Sequence, residues 1–91
     1  MLIVVAYDIP DDRRRTCLAK ALEDFGERVQ YSVFECRLEP AQIERLSARV
    51  VKLIDGEKDS VRIYRVCGEC AGKIVIHGWG KVTQDPAVYV L

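Results

Sequence analysis

The sequence LIVVAYDIPDD, residues 2–12, decides the fold because it passes from a strand to a helix start within a few residues. Residues 2–7 form a short, uninterrupted and partly β-branched apolar run, which is typical of a fully buried strand. Asp8 follows directly, so the pattern predicts a carboxylate at the C-terminal end of a rigid strand. Asp11 or Asp12 can cap the helix that comes next. The first strand therefore ends in the strongest candidate for chemistry, Asp8.

Two helices follow from the spacing of apolar residues. The first is predicted to end at Gly26, in the usual C-terminal position of glycine. Its apolar stripe consists of Cys17, Leu18, Ala21, Leu22 and Phe25. The second begins at Pro40, a residue that suits the first position of a helix, and ends at Asp55-Gly56. Its buried face is predicted to consist of Ile43, Leu46, Val50, Leu53 and Ile54.

The remaining elements are predicted to be strands. In residues 28–38 the apolar side chains lie first at odd and then at even positions, which predicts a bulge or break near residues 32–34. The pattern leaves open whether this stretch is one bent strand or two short ones. The other predicted strands, with a loop between the first two, are residues 60–67, 73–77 and 86–91.

This order of elements predicts an α+β fold: a ferredoxin-like β-α-β-β-α-β sandwich with an extra C-terminal strand. Two helices cover one face of such a sheet, and the other face is bare. With 49% hydrophobic residues, the 91-residue chain has more apolar surface than one small core requires. We therefore expect a single domain, residues 1–91, that forms a symmetric homodimer through the bare face. Residues 86–91 are expected to pack on the partner subunit.

Composition and charge limit the function classes. The 14 basic and 14 acidic side chains cancel, so any nucleic-acid binding has to come from local basic patches. The first apolar run is too short for a signal peptide, and no apolar segment is long enough to span a bilayer. We therefore expect a cytoplasmic protein that does not associate with membranes and whose four cysteines are reduced.

One cysteine pair has a spacing that carries chemistry in other proteins. Cys67-Gly68-Glu69-Cys70 has the spacing of zinc ligands or of a redox pair. A structural zinc site requires four ligands, and this chain has no second closely spaced pair, although a dimer could supply one. The preferred interpretation is a tight turn between strands, with a reversible disulfide as a further option.

Several segments together resemble a known family. Tyr7-Asp8 ends the first strand, an arginine-bearing helix follows, and RVQYSVFE and DSVRIY occupy residues 28–35 and 59–64. This combination strongly resembles the second CRISPR-associated adaptation protein, the small dimeric partner of the CRISPR integrase. The resemblance covers nearly the whole chain.

The resemblance implies a role in spacer acquisition, a part of antiviral defence, in which the dimer holds DNA between integrase dimers. It also implies a magnesium-dependent endonuclease that acts on RNA or double-stranded DNA. By position it makes Asp8 the catalytic and metal-binding residue. The other residues to which it assigns roles are Tyr7, Arg13, Arg14, Arg15 and Arg28 for nucleic acid, and Ser32 and Phe34 in support. It leaves open which of the three consecutive arginines contacts phosphate.

The chemistry of these residues allows alternatives. Mg²⁺ prefers carboxylate oxygens, and a two-fold dimer would bring two copies of Asp8 to one ion. Alternatively, Asp8 caps the following turn or helix. Basic charge in the first turn of a helix opposes the helix dipole and is unfavourable there. Contact with phosphate would explain the three arginines. The alternative is a solvated helix face with local ion pairs. Phe34 fits core or interface packing better than base stacking, and Ser32 orients a metal-bound water or satisfies backbone groups at a bulge.

Two functions compete with the nuclease. A non-catalytic scaffold would hold a DNA duplex with its arginines while the integrase performs the chemistry, and it would not need Asp8. A toxin-like ribonuclease of a related small fold would act outside CRISPR.

Overall fold

The computed structural model describes residues 1–80 and Val82. Its elements in chain order are β1 (Leu2–Asp8), α1 (Asp12–Leu22), β2 (Glu27–Gln30), β3 (Val33–Arg37), α2 (Pro40–Leu53), β4 (Ser60–Val66) and α3 (Gly68–Ala71). The strands form one antiparallel sheet in the order β2-β3-β1-β4. This order and this pairing are those of the predicted ferredoxin-like sandwich, so the fold class is confirmed.

The core lies between the helices and one face of the sheet. β1 is the strand between β3 and β4, and its odd-numbered residues Ile3 and Val5 are fully buried. Cys36 and Phe34 lie opposite them on β3 and are also fully buried. The helices complete the cluster with Leu18, Ala19, Leu22, Ile43, Leu46 and Val50. Burial of each large apolar side chain contributes roughly 1.5–3 kcal/mol, so this cluster is the main source of stability.

Specific residues define where α1 begins and how the chain continues after it. The Asp11 carboxylate accepts a hydrogen bond from the Arg14 backbone N–H at 2.9 Å, so Asp11 rather than Asp12 is the cap. Gly26 follows the helix, and it does not adopt the left-handed conformation that is common for a glycine at a helix C-terminus. It is required for space, because a Cβ there would lie 2.6 Å from Cys36 Sγ and 2.8 Å from Cys36 Cα. Gly26 therefore lets the chain pass close to β3.

The buried stripe of α1 is narrower than predicted. It contains Leu18, Ala19, Ala21 and Leu22, and Phe25 packs at the edge of the core. Cys17, which we assigned to this stripe, is exposed. At about 100° per residue, position 17 lies on the flank of the helix, away from the line through Leu18 and Leu22.

The second helix agrees with the prediction. α2 begins at Pro40, and the Glu39 backbone N–H donates a hydrogen bond to the Gln42 side-chain oxygen at 2.7 Å. This contact satisfies a backbone donor at the start of the helix. The predicted apolar face is buried at Ile43, Leu46 and Val50 and partly buried at Leu53 and Ile54.

Residues 28–38 form two strands, which answers the question that the sequence left open. Gln30 pairs with Val33, so a two-residue turn, Tyr31-Ser32, joins β2 to β3. This turn is the break that we predicted near residues 32–34, and a separate irregularity in the pairing lies between Arg28 and Gln30. The shift of phase falls within β3, where Val33 lies opposite Ala6 on the uncovered face and Phe34 lies opposite Val5 in the core.

The C-terminal part of the described chain departs from the prediction. β4 is confirmed, but the predicted loop at residues 68–72 contains the single helical turn α3. Residues 73–77, predicted as a strand, are irregular. An alternating pattern forms a strand only when a neighbour supplies hydrogen bonds, and no described strand pairs with this segment. The strand predicted at residues 86–91 lies outside the described residues. No helix among the described residues is long and apolar enough to cross a membrane.

Candidate metal and nucleic-acid site

Asp8 lies at the end of β1, on the face of the sheet that the helices do not cover. Alternation along the strand places it with Val4 and Ala6, which are half-buried, and opposite Ser60 of β4. Asp8 is exposed, and its carboxylate makes no hydrogen bond or ion pair with the described residues. Since Asp11 caps α1, the alternative in which Asp8 caps that helix does not hold. The Asp8 carboxylate is available for a ligand.

One chain does not supply a complete metal site. Among residues 1–80 and 82, no group of three or more His, Cys, Asp or Glu side chains is placed to hold a metal ion. Mg²⁺ keeps several waters but is bound through one or two carboxylates, so Asp8 alone is a minimal ligand. A second carboxylate, such as the same residue in another copy of the chain, would give such an ion a stronger set of oxygen ligands.

Ser60 was not predicted as a site residue. Its side chain is on the same face as Asp8 and directly across from it, a register that places the two Cβ atoms about 4.5–5.5 Å apart. The carbonyl of Ser32, which was predicted, accepts a hydrogen bond from the Tyr7 N–H at 3.1 Å, and the role of its side chain stays a prediction. No signal within the sequence connects Ser60 with Asp8, because their proximity depends on strand register.

Tyr7 and Phe34 lie on the opposite, helix-covered face. Their side chains are nearly or fully buried, and their ring centroids are 6.4 Å apart with the planes tilted by 33°. The Tyr7 hydroxyl is 3.5 Å from the Tyr31 carbonyl oxygen, at the hairpin turn. Phe34 is therefore a core residue, as preferred from the sequence, and its ring presents no surface on which a base could stack.

A basic cleft opens between α1 and the β2–β3 hairpin. It has a volume of about 360 Å³ and is lined by Tyr7, Arg15, Thr16, Ala19, Lys20, Glu23, Arg28 and Tyr31. The guanidinium carbon of Arg28 lies 5.5 Å from the centroid of the Phe34 ring, a cation–π contact that fixes one wall. Lys20 and Tyr31 were not predicted. Lys20 lies seven residues beyond Arg13, and this spacing on α1 could have indicated a shared exposed face.

Arg14 has a structural partner. Its Nε lies 2.8 Å from Asp59 Oδ2 and its Nη2 lies 3.1 Å from Asp59 Oδ1, so the pair is bidentate. The Asp59 side chain has no exposed surface, and it also accepts a hydrogen bond from the Asp55 backbone N–H at 2.8 Å. This hydrogen bonding raises the pKa of Arg14 and lowers the pKa of Asp59. Arg14 thus connects the start of α1 to the turn before β4.

The other two consecutive arginines differ from each other. Arg15 donates hydrogen bonds to the Ile9 carbonyl at 2.8 Å and to the Asp12 carboxylate, and the latter raises the pKa of Arg15. Arg13 is exposed and forms no ion pair with the described part of the chain. Of the three, Arg13 has the guanidinium that is most available for phosphate, and this role stays a prediction.

Comparison with known proteins identifies the family. The family model for CRISPR associated protein Cas2 matches residues 1–74. A relative from Chloroflexus aurantiacus, named CRISPR-associated endoribonuclease Cas2 3, is 45% identical over all of this chain and 98% of its own length. A relative from Thermus thermophilus, named CRISPR-associated endonuclease Cas2 2, is 47% identical over 99% of this chain and 96% of its own length.

Solved structures agree with this result. A hypothetical protein from Thermus thermophilus, TT1823, has a TM-score of 0.80 and 47% identity, over 89% of this chain and 94% of that one. Streptococcus pyogenes Cas2 has a TM-score of 0.76 and 32% identity, over 86% and 100% of the two chains. A chain of a partial Cas6-RT-Cas1–Cas2 complex has a TM-score of 0.65 and 25% identity, over 82% and 88%. The chain belongs to the family of the CRISPR associated protein Cas2.

Proposed function

We propose that the protein acts in CRISPR adaptation as a homodimer that binds nucleic acid, assembles with the CRISPR integrase and hydrolyses phosphodiester bonds with Mg²⁺ held by Asp8. Family membership supports the biological role. Two relatives are named as an endoribonuclease and an endonuclease, and a structural neighbour comes from a complex with Cas1. The observation that carries the nuclease is Asp8, an exposed carboxylate at the end of a strand, with no partner among the described residues.

The uncovered face of the sheet supports a homodimer. It exposes 47% of Tyr64 on β4 and has half-buried Val4 and Ala6 on β1. A cleft beside β2 and β3 is lined on its other side by Val75, Ile76, His77, Trp79 and Gly80, and Trp79 is 89% exposed. Exposed apolar side chains of this kind are stabilised by contact with another surface. A second copy of the chain would cover them, and the proposed partner contact of residues 86–91 would add to the interface.

Asp8 would hold the ion in such a dimer. A two-fold axis near the end of β1 presents the same carboxylate twice, which gives a divalent cation oxygen ligands from both subunits. When bound, the cation lowers the pKa of a coordinated water and stabilises charge on the phosphodiester. The position of Asp8 is fixed because β1 is paired on both sides. Ser60 is placed across from Asp8 to donate a hydrogen bond to water or to a substrate oxygen.

Nucleic acid is proposed to bind through Arg13 and the basic cleft that contains Arg15, Lys20 and Arg28. Arginine and lysine contact phosphate without regard to sequence, so this surface would position a duplex or a single strand. These residues belong to the helix layer and the hairpin, whereas Asp8 is on the uncovered face of the same sheet. Binding and hydrolysis therefore use separable residues.

This separation also favours the second candidate function, the non-catalytic scaffold. The arginines and Lys20 could hold DNA for the integrase even if Asp8 were replaced. Under the scaffold hypothesis Asp8 has no role in capture, and its loss changes neither the affinity for DNA nor spacer acquisition.

Asp8→Asn and Asp8→Ala distinguish the two functions. Purified protein is incubated with labelled double-stranded DNA and single-stranded RNA, with Mg²⁺ or with chelator. The matched control is Glu44→Gln, because Glu44 is an exposed carboxylate on α2 without a partner among the described residues. We expect Mg²⁺-dependent cleavage that disappears in both Asp8 variants and persists in the control. If folded Asp8 variants cleave like the parent, the nuclease hypothesis is excluded and the scaffold hypothesis is favoured.

A further inference from the structure

Cys67 and Cys70 form a close pair at the end of β4. Cys67 immediately precedes the single turn α3, and its sulfur accepts a hydrogen bond from the Cys70 backbone N–H at 3.4 Å. Both cysteines are exposed and unbridged. Cys67 has extended backbone angles just before the turn, and Cys70 lies within it. A disulfide requires Cβ atoms about 3.5–4.5 Å apart, so closure would bring the two side chains to this separation by a local shift of the turn.

The backbone around the pair can accommodate this shift. A Cβ built at Gly68 would have no atom of the described residues within 4 Å, so none of these residues packs against this position of the turn. The Cys67 and Cys70 side chains also face solvent rather than the core. Closure of the disulfide therefore does not require repacking of the sandwich.

The two sulfurs are chemically unequal. Hydrogen bonds from the Cys70 backbone N–H and the Cys70 thiol lower the pKa of Cys67. The same thiol contact raises the pKa of Cys70, because its proton is held against the Cys67 sulfur. Cys67 is thus the better attacking thiolate and Cys70 is placed to resolve a mixed disulfide. The other two cysteines are not placed to form such a pair. Cys17 is exposed but distant in sequence from any other cysteine. Cys36 is buried, which raises its pKa to about 11.

Metal binding is the competing use of such a pair. Structural zinc takes four ligands in a closed tetrahedral site. Within residues 1–80 and 82, no third His, Cys, Asp or Glu joins Cys67 and Cys70 in a group able to hold a metal ion. The pair on one chain is therefore better suited to thiol–disulfide chemistry than to metal binding.

We propose that Cys67 and Cys70 form a redox-active dithiol that low-molecular-weight disulfides oxidise to an intramolecular disulfide. The Cys67 thiolate attacks one sulfur of the small disulfide, whose S–S bond breaks, and the departing thiolate takes a proton from water. Cys70 then loses its proton to solvent, attacks Cys67 Sγ in the mixed disulfide and releases the second small thiol. Two electrons pass from the protein dithiol to the small disulfide, which becomes two thiols.

This site is independent of the proposed nuclease. Along β4, Ser60 lies opposite Asp8 and Val66 lies opposite Leu2, so Cys67 is at the other end of the sheet from Asp8. The disulfide would fix the direction in which the chain leaves β4 and enters residues 73–80. Its formation can be measured without any assay of nucleic-acid cleavage.

The test uses the full chain in mixtures of oxidised and reduced glutathione at neutral pH, quenched with acid and read by intact mass and peptide mapping. We expect the parent to lose two hydrogens between Cys67 and Cys70 and to retain no glutathione on either residue. Cys70→Ser should retain one glutathione on Cys67, because the resolving thiol is gone. Cys67→Ser should form no internal disulfide, and Cys17→Ser should behave like the parent.

A second measurement requires no variant. Limited alkylation of the native parent, mapped by peptide, should modify Cys67 several times faster than Cys17, because hydrogen bonds from Cys70 lower the pKa of the Cys67 thiol. Three results would overturn the proposal: retention of glutathione on the parent pair without a disulfide, a disulfide that joins two chains, or stoichiometric zinc that protects both cysteines. Equal alkylation of Cys67 and Cys17 would also contradict it.

Discussion

Replacement of Phe34 distinguishes a packing role from a direct contact with nucleic acid. The side chain is fully buried on β3, where it pairs with Val5 across the sheet. Its ring lies 6.4 Å from the Tyr7 ring and 5.5 Å from the Arg28 guanidinium carbon, measured from ring centroids. Phe34→Ala would leave a cavity beneath two residues that line the basic cleft.

The magnitude follows from this burial. Phe→Ala in a close-packed core costs about 3–5 kcal/mol of unfolding free energy. The ring contacts with Tyr7 and Arg28 account for about 1–2 kcal/mol of it. Since 1 kcal/mol shifts the Tm of a domain of this size by about 4–8 °C, the Tm should fall by roughly 12–40 °C. Phe34→Leu keeps most of the volume and should cost only about 1–2 kcal/mol.

Urea denaturation followed by circular dichroism measures both variants, at several protein concentrations because dimerisation contributes to stability. DNA binding is then compared at fixed salt and at a temperature where Phe34→Leu is folded. Phe34→Leu keeps the packing but loses the ring beneath Arg28, so we expect it to bind only slightly more weakly than the parent. A stable, folded Phe34→Leu whose affinity falls tenfold would refute the packing role, as would a Phe34→Ala variant with unchanged stability.

Three further predictions concern charge and titration. Arg13→Ala should weaken DNA binding and reduce the slope of log K against log salt concentration by about one unit. Arg45→Ala, which removes another exposed arginine, on α2, is the control and should do neither. Equal salt slopes for the two variants would contradict a phosphate contact at Arg13. Asp59→Asn should destabilise the protein at neutral pH. The Asp59 pKa is lowered in the folded state, so the ionised carboxylate stabilises the fold above its ordinary pKa of 3.8. This stabilisation is lost as the pH falls below that value. The urea midpoints of parent and variant should therefore converge in acid. Burial raises the pKa of Cys36 to about 11, so the folded state favours the neutral thiol, and stability should fall as the pH rises from 9 towards 11. Cys36→Val should lose this part of the alkaline decline, and identical pH profiles for parent and variant would exclude the effect.

The elements that the sequence predicted well are those whose pattern is local. β1 is a continuous apolar run, and α2 has proline at its start and apolar residues at helical spacing. The antiparallel order follows once these elements are placed, since few topologies bury both helices on one face. The position of Asp8 at the end of β1 was predictable for the same reason.

The parts that the sequence did not predict depend on distant partners. Arg14 lies 45 residues from Asp59, and no local pattern separates it from Arg13, which is free among the described residues. Gly26 resembles a helix terminator in the sequence, but the backbone of β3 is what requires a glycine there. Residues 73–77 alternate like a strand and are irregular because pairing, not alternation, makes a strand.

The positions of the site residues also qualify the roles implied by the family resemblance. Tyr7 and Phe34 belong to the hydrophobic core, Tyr7 also lines the basic cleft, and Arg14 is held in an ion pair with Asp59. Asp8, Arg13 and the basic cleft remain for chemistry and binding. Asp8 lies on the face that a second subunit would cover, so the proposed hydrolysis depends on dimerisation, whereas phosphate contact at Arg13 does not.

We propose that two copies of Asp8 hold one divalent cation in the dimer. Titration of the dimer with Mn²⁺, followed by electron paramagnetic resonance, measures the stoichiometry directly. We expect one bound ion for every two chains, loss of this ion in Asp8→Asn and its retention in Glu44→Gln. Binding of one ion per chain that survives Asp8→Asn, or no binding by the dimeric parent, would contradict it.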